Sequence, residues 1–221
     1  MVRAKPDVEQ DLHTPHPLHE LVLREVARTA ADLAASLQLR LRALSRASYV
    51  HPRSRLVDAA NIDLGDHVQV HAGATLRGTG TRHPGLSMGR YTIIRENAYV
   101  DAHGGWIELR QGVFAGQNAV IYGQGGVTVG ANTLLAPGVT LVAASHLFSG
   151  EDRPIKFQPE DYRGITIGAN CWLGANAVVL DGVTIGSGCV VGAGAVVTRD
   201  LASGSVAYGV PAEIRRSRLQ S

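Results

Sequence analysis

Nine histidines and two cysteines are the side chains of this 221-residue sequence best suited to acid–base or nucleophilic work, and their settings differ. His146 closes a run of regularly spaced apolar residues. An irregular stretch, 147–164, follows it before the regularity resumes at Ile165. A segment that long without its own pattern, inside a compact domain, marks a functional or a disordered loop. Imidazole, with an unperturbed pKa of about 6.5, is suited to take a proton from an attacking hydroxyl or amine at neutral pH. Glu151 and Asp152 are the nearby acids that could orient it, although two charges in a solvated loop need no such role. Cys171 and Cys189 occupy equivalent small positions of the pattern and are expected as packed free thiols, neither bridge nor nucleophile. The glycine-rich segment 78–85 has neither of the glycine spacings that cradle phosphates, and no helix signal follows it, so it reads as an insertion.

The elements that must position these residues follow from a six-residue period. Leu64, Val70 and Leu76 form one set, followed by Met88, Ile94 and Val100, then Leu109, Ala115 and Ile121, then Val129, Leu135 and Leu141. After the break come Ile167, Leu173, Val179, Ile185, Val191 and Val197. Glycine often stands one residue after these positions, and a small or β-branched residue four after. Neither a helical period of 3.6 nor a strand period of 2 gives this pattern. Short strands separated by corners do, with three six-residue sides closing a triangular coil. Coil starts at Ile62, Leu86, Ile107, Val127, Ile165 and Val183 predict an all-β solenoid of about six coils, roughly 30 Å long. The solenoid is expected over 58–204 with the inserted loop 147–164, and a C-terminal tail over 205–221.

Ahead of it, Leu18, Val22, Val26, Ala30, Leu33, Leu37, Leu41 and Leu44 form one apolar stripe of an amphipathic helix over 18–50. Arg24, Arg28, Arg40, Arg42 and Arg46 flank it. The stripe is expected against the main domain or a neighbouring subunit; attachment to a membrane surface is the other reading. Residues 1–17, polar and with three prolines, read as a flexible tail rather than a secretory signal.

Composition excludes several classes. Charged residues are 18% and apolar residues 45%, which argues against wholesale disorder. A net charge of +2 gives nucleic acid no electrostatic footprint. No run approaches the ~18 apolar residues of a membrane span. Glycine is abundant, 26 residues, without the every-third spacing of collagen, and aromatics are 5%, which suits many tight corners around a narrow interior. The chain is expected in the cytoplasm.

Residues 127–216 carry a family likeness. They read VTVGANTLLAPGVTLVAASH, a loop containing EDRPI, then ITIGANCWLGANAVVLDGVTIGSGCVVGAGAVVTRD and GVPAEIRR. This resembles the left-handed β-helix hexapeptide-repeat acyltransferases, in the branch that acetylates sugars, polysaccharide precursors and some antibiotics. The likeness covers about 150 residues and excludes the N-terminal helix. It implies a left-handed coil, a homotrimer, acetyl-CoA as co-substrate and no metal. Carried over by position, His146 is the general base. CoA contacts are Ala136, Trp172, Gly174, Ala175, Ala193, Thr198, Arg199 and Arg216, along a groove between subunits. Acceptor contacts are Asp101, His103 and Gln124. Arg199 stands where family members often have lysine, and Glu213 where some have a basic residue.

The implied activity is acyl transfer to a hydroxyl or amine of a sugar or polysaccharide precursor, with an amino acid or antibiotic as the alternative acceptor. Two remoter readings remain. One is a carbonic-anhydrase-like metal enzyme using histidines among His67, His71, His103 and His146. The other is a non-catalytic solenoid, against which stands the lack of a regular threonine ladder.

Overall fold

A computed structural model describes residues 18–149 and 153–218, with side chains from residue 25 onward. Residues 1–17, Glu151 and Asp152 therefore lie outside the described residues. One helix, Leu18–Ser45, precedes a parallel β-solenoid of about seven turns. Each of the first six turns contributes one short strand to each of three sheets, and the seventh reaches the third sheet only through a bridge at Leu201. Sheet A starts at Tyr49–Val50, sheet B at Arg55–Val57 and sheet C at Ile62–Leu64. The expected starts at Ile62, Leu86, Ile107, Val127 and Ile165 each begin a sheet C strand, and the one expected at Val183 begins at Thr184. The count of six coils is one short. The first turn, with strands Tyr49–Val50 and Arg55–Val57, carries His51, Pro52, Arg53 and Arg55 and lacks the apolar-x-apolar-Gly start that marks most of the others.

Inward-facing residues stack in columns. Val70, Ile94, Ala115, Leu135 and Leu173 fill one side; Leu76, Val100, Ile121, Leu141 and Val179 fill the second; Leu64, Met88, Leu109, Val129 and Ile167 fill the third. Corner positions hold the small residues, including Ala98, Ala119, Ala177, Cys171 and Cys189. Both cysteines are free, and burial raises their pKa, which suits packed thiols. Many corners turn through a residue with a left-handed backbone. Asn97, Asn118, Asn132, Asn170 and Asn176 all lie at φ between 56° and 58°, where asparagine is tolerated better than other side chains. The asparagine amide reaches beneath the turn before it, so a Cβ on Gly138 would collide with Asn176 Oδ1.

The outer faces differ. Sheet C presents Asp63, Ser87, Glu108, Thr128, Thr166 and Thr184, with the three threonines in register over three turns. Sheet A presents Tyr49, Gln69, Ile93, Phe114, Leu134, Trp172 and Val190, apolar apart from Gln69.

The helix closes the N-terminal end of the stack, but not with the expected stripe. Leu39 and Ala43 are buried against the first turn, while Leu33, Leu37, Leu41 and Leu44 remain exposed. The reason is polar. An open end leaves unpaired carbonyls, and Arg40 on the packed face donates to Val50 O at 3.0 Å, His51 O at 2.8 Å and Ser54 O at 2.8 Å. The helix ends at Ser45, and the next residues already belong to the first turn. At the other end, Ser205–Tyr208 and Glu213–Ser217 form an antiparallel hairpin on sheet A, in a stretch expected as a tail. No helix among the described residues is long and apolar enough to cross a membrane.

Arg40→Met keeps the side chain's bulk and removes its hydrogen bonds to the first turn. It is expected to lower unfolding free energy by about 2 kcal/mol, given the usual worth of hydrogen bonds to a charged group at a partly buried site. The urea midpoint measures it; Leu37→Gln, on the exposed stripe, is expected to leave the monomer's unfolding free energy unchanged.

Candidate active site

The three corners are not equivalent. Those between sheets A and B (51–54, 71–74, 95–98, 116–119, 136–139, 174–177, 192–195) are four residues long in every turn, and those between C and A repeat the same length. Only the corner between sheets B and C varies: 78–85 in the second turn, 102–106 in the third, 143–164 in the fifth. All the buried acids among the described residues lie along that corner: Asp101, Glu160 and Asp181. An unpaired buried carboxylate is costly, and each of these is paired.

In the third turn Asp101 ends the strand Tyr99–Asp101 and is 1% exposed. Its Oδ2 accepts from Tyr99 Oη at 2.7 Å and faces Arg77 Nε at 3.3 Å and His103 Nδ1 at 3.6 Å. Its Oδ1 accepts from the His103 backbone N–H at 2.8 Å. The hydrogen bond to Asp101, followed by burial, raises the Tyr99 pKa. Asp101 is thus consumed internally. His103 is the exposed member, stacked on Tyr122 with ring centroids 4.3 Å apart.

In the fifth turn the long excursion folds back on itself. Ser145–His146 pairs antiparallel with Glu160–Asp161, with His146 opposite Glu160. His146 Nε2 lies 3.6 Å from Glu160 Oε1, with the imidazole half-exposed and the carboxylate nearly buried. Glu160 Oε2 accepts from Gln124 Nε2 at 2.9 Å and from the Tyr162 hydroxyl. Gln124 Nε2 also reaches Tyr162 Oη at 3.0 Å. Burial, then the bond to Glu160, pushes the Tyr162 pKa up to about 12, so this phenol is a donor at neutral pH. Asp181 accepts from the backbone N–H of Arg163, at 3.0 Å, and of Gly164, at 2.8 Å, where the excursion rejoins sheet C.

The acid facing His146 is therefore Glu160, which the sequence reading did not consider. It lies far along the loop, and only the antiparallel pairing brings it back. Asp181 was also missed, being one more corner residue in the sequence. Gln124, expected at the acceptor, has its amide engaged by Glu160 and Tyr162. The residues expected at CoA do not converge within one protomer. Ala136, Gly174, Ala175 and Ala193 lie on the A–B corner, and Thr198 and Arg199 on the B–C corner above His146. Trp172 lies on the outer face of sheet A, and Arg216 in the terminal hairpin. The two corners are separated by the width of sheet B, about 10 Å. Of the histidines considered for metal, His67 stacks on Tyr91 and His71 faces Glu96, and no group of three or more metal-ligating side chains occurs among the described residues.

A parallel solenoid whose one long excursion sets a histidine facing a carboxylate defines a class, and comparison with known proteins gives the family. Residues 164–199 match the family model described as bacterial transferase hexapeptide (six repeats). The chain is 36% identical over 155 residues to nodulation protein L of Rhizobium leguminosarum bv. viciae, covering 70% of this chain and 77% of that protein. It is 37% identical over 132 residues to galactoside O-acetyltransferase of Escherichia coli K12, covering 57% of this chain but only 64% of that enzyme. In fold it is similar to AntD, an N-acyltransferase from Bacillus cereus crystallised with dTDP and coenzyme A, with TM-score 0.53, 18% identity and coverage of 77% and 81%. The chain belongs to the hexapeptide-repeat acyltransferases of left-handed β-helix fold.

The raised Tyr162 pKa makes a signed prediction. Tyrosines of the unfolded chain ionise at about pH 10, so between there and about pH 12 the unfolded state loses its proton first and stability falls as pH rises. Urea midpoints across that window are expected to fall less steeply for Tyr162→Phe than for the parent.

Proposed function

We propose that the protein transfers an acetyl group from acetyl-CoA to a hydroxyl or amine of a sugar or polysaccharide precursor, with His146 as general base. The observation that carries this reading is the His146–Glu160 pair, set at the one corner whose length varies. With Nε2 directed at Glu160, Nδ1 is left to take the acceptor's proton. The acceptor oxygen or nitrogen attacks the thioester carbonyl as its proton passes to His146. The tetrahedral intermediate then expels the CoA thiolate, which recovers the proton from the imidazolium. Glu160 stabilises that imidazolium. Gln124 and Tyr162 fix the other carboxylate oxygen, so Glu160 presents Oε1 to the ring. The 3.6 Å separation is longer than a hydrogen bond, and such contacts commonly tighten when ligands bind.

A homotrimer completes the site in this account. The apolar outer face of sheet A seeks a partner, whereas the polar face of sheet C does not. A neighbouring copy would set the small A–B corner residues Ala136, Gly174, Ala175 and Ala193 opposite the His146 corner. Small side chains there let the pantetheine approach the backbone, while Thr198, Arg199 and Arg216 supply donors and charge for phosphates. Asp101 acts through His103 at the acceptor end. Galactoside O-acetyltransferase among the relatives supports a saccharide acceptor. Use of acetyl-CoA supports a cytoplasmic location.

Calorimetry with acetyl-CoA and CoA-release assays on saccharide acceptors test the reading. His146→Ala is expected to bind acetyl-CoA as the parent does and to lose about 1,000-fold in kcat, the usual worth of a general base. Glu160→Gln is expected to lower kcat about tenfold, with KM for acetyl-CoA unchanged. Undiminished turnover in His146→Ala contradicts the assignment.

A further inference from the structure

The same corner carries a second built feature, three turns from His146 or about 15 Å along the solenoid axis. The insertion 78–85 is stitched to the turns on both sides. Gly104 N–H donates to Thr79 O at 2.8 Å and Thr81 N–H to Gly105 O at 3.0 Å. Gly85 N–H donates to Asn61 O at 3.0 Å and Ile107 N–H to Gly85 O at 2.8 Å. The loop is therefore a fixed shelf. Between it and the outer face of sheet C lies an open cleft of about 200 Å³, whose lining includes Arg82, His83, Ser87, Trp106 and Glu108.

The chemistry of that cavity is asymmetric. The Trp106 indole packs against Gly126, where a Cβ would collide with the ring. The Arg82 guanidinium carbon lies 3.7 Å from the Trp106 ring centroid. Glu108 is engaged by Arg110 at 3.1 Å. Among the described residues, no carboxylate lies within ion-pair distance of Arg82. A planar cation is thus held against an aromatic ring with its N–H donors unspent. A guanidinium fixed in this way is pre-organised for the paired oxygens of a phosphate or carboxylate. The Ser87 hydroxyl adds a donor on the same wall, while His83 donates its Nδ1–H to Asn61 Oδ1.

We propose that this cavity binds an anionic group of the acceptor, phosphate or carboxylate, while the acceptor's reacting hydroxyl or amine lies at His146. The proposal rests on the acyltransferase reading for its reacting end. It deepens that reading by naming the substrate class: a saccharide longer than one sugar ring, either joined to a phosphate or bearing an acidic unit. His103, half-exposed between the two ends, faces the middle of such a molecule.

Calorimetry tests this without turnover. The probes are pyrophosphate, galactose 1-phosphate, galacturonate and neutral methyl galactoside, titrated into the full-length protein, Arg82→Ala and Arg82→Lys. Acetyl-CoA binding is the control for folding and for the underlying reading. The expected result is binding of phosphate-bearing or carboxylate-bearing probes, weakened about tenfold in Arg82→Ala and less in Arg82→Lys, with acetyl-CoA binding unchanged. The phosphate arm binding alone points to a phosphorylated saccharide, and the galacturonate arm alone to an acidic sugar. The proposal is overturned if acetyl-CoA binds while no anionic probe does, or if the anionic probes bind Arg82→Ala and the parent equally. Failure of acetyl-CoA itself to bind removes the acyltransferase reading beneath it.

Discussion

Each turn of the solenoid hydrogen-bonds to its neighbours in a parallel ladder, residue opposite residue, and that register carries the rest of the molecule. Leu134 sits opposite Trp172 and Trp172 opposite Val190; Val120 sits opposite Thr140 and Thr140 opposite Val178. A register slip of one residue in any turn would turn its apolar column outward. Two of the corners hold to four residues because the ladder leaves them no slack. The third can lengthen because its insertions run outward into solvent. The chain uses that freedom in the second and fifth turns, with a smaller addition in the third, and these are the turns that hold the candidate chemistry.

The same geometry explains why polar groups collect where they do. The interior is a narrow apolar prism with no room for a solvated carboxylate. Asp101, Glu160 and Asp181 are buried only at the edge of the variable corner, where loop backbone and neighbouring hydroxyls can reach them. Each acid then fixes something. Asp101 holds the His103 backbone, Glu160 faces His146, and Asp181 holds the returning end of the excursion. Stacked turns thus present positioned imidazoles on a rigid edge rather than on a free loop, which is what pre-organised proton transfer requires.

Much of the fold was legible because its period is set by side-chain volume. Leu173, Val179 and Ile185 announce three walls, and Cys171 and Ala177 announce corners too tight for anything large. The first turn was not legible, because Arg40 from the helix, rather than an apolar start motif, completes it. The helix face packed on the first turn was not legible for the same reason: the stripe Leu33, Leu37, Leu41 and Leu44 dominates the pattern and stays exposed, open to a neighbouring subunit, while the packed face is chosen by one arginine seeking carbonyls. At the site, His146 stood out by its place at the break in the repeat. Glu160 and Tyr162 did not, because an antiparallel pairing within an aperiodic loop leaves no period to read. Gln124 was noticed, but its bond to Glu160 depends on where that loop returns.

In the proposed trimer a CoA thioester is delivered to His146 across a subunit boundary. A crystal structure of the protein with CoA is the direct test. A trimer is expected, with the pantetheine lying along the A–B corner of one copy and the CoA sulfur within about 3.5 Å of the reacting position beside His146 of the next. CoA bound with its sulfur remote from every His146, or a monomer with CoA on a different corner, would contradict it.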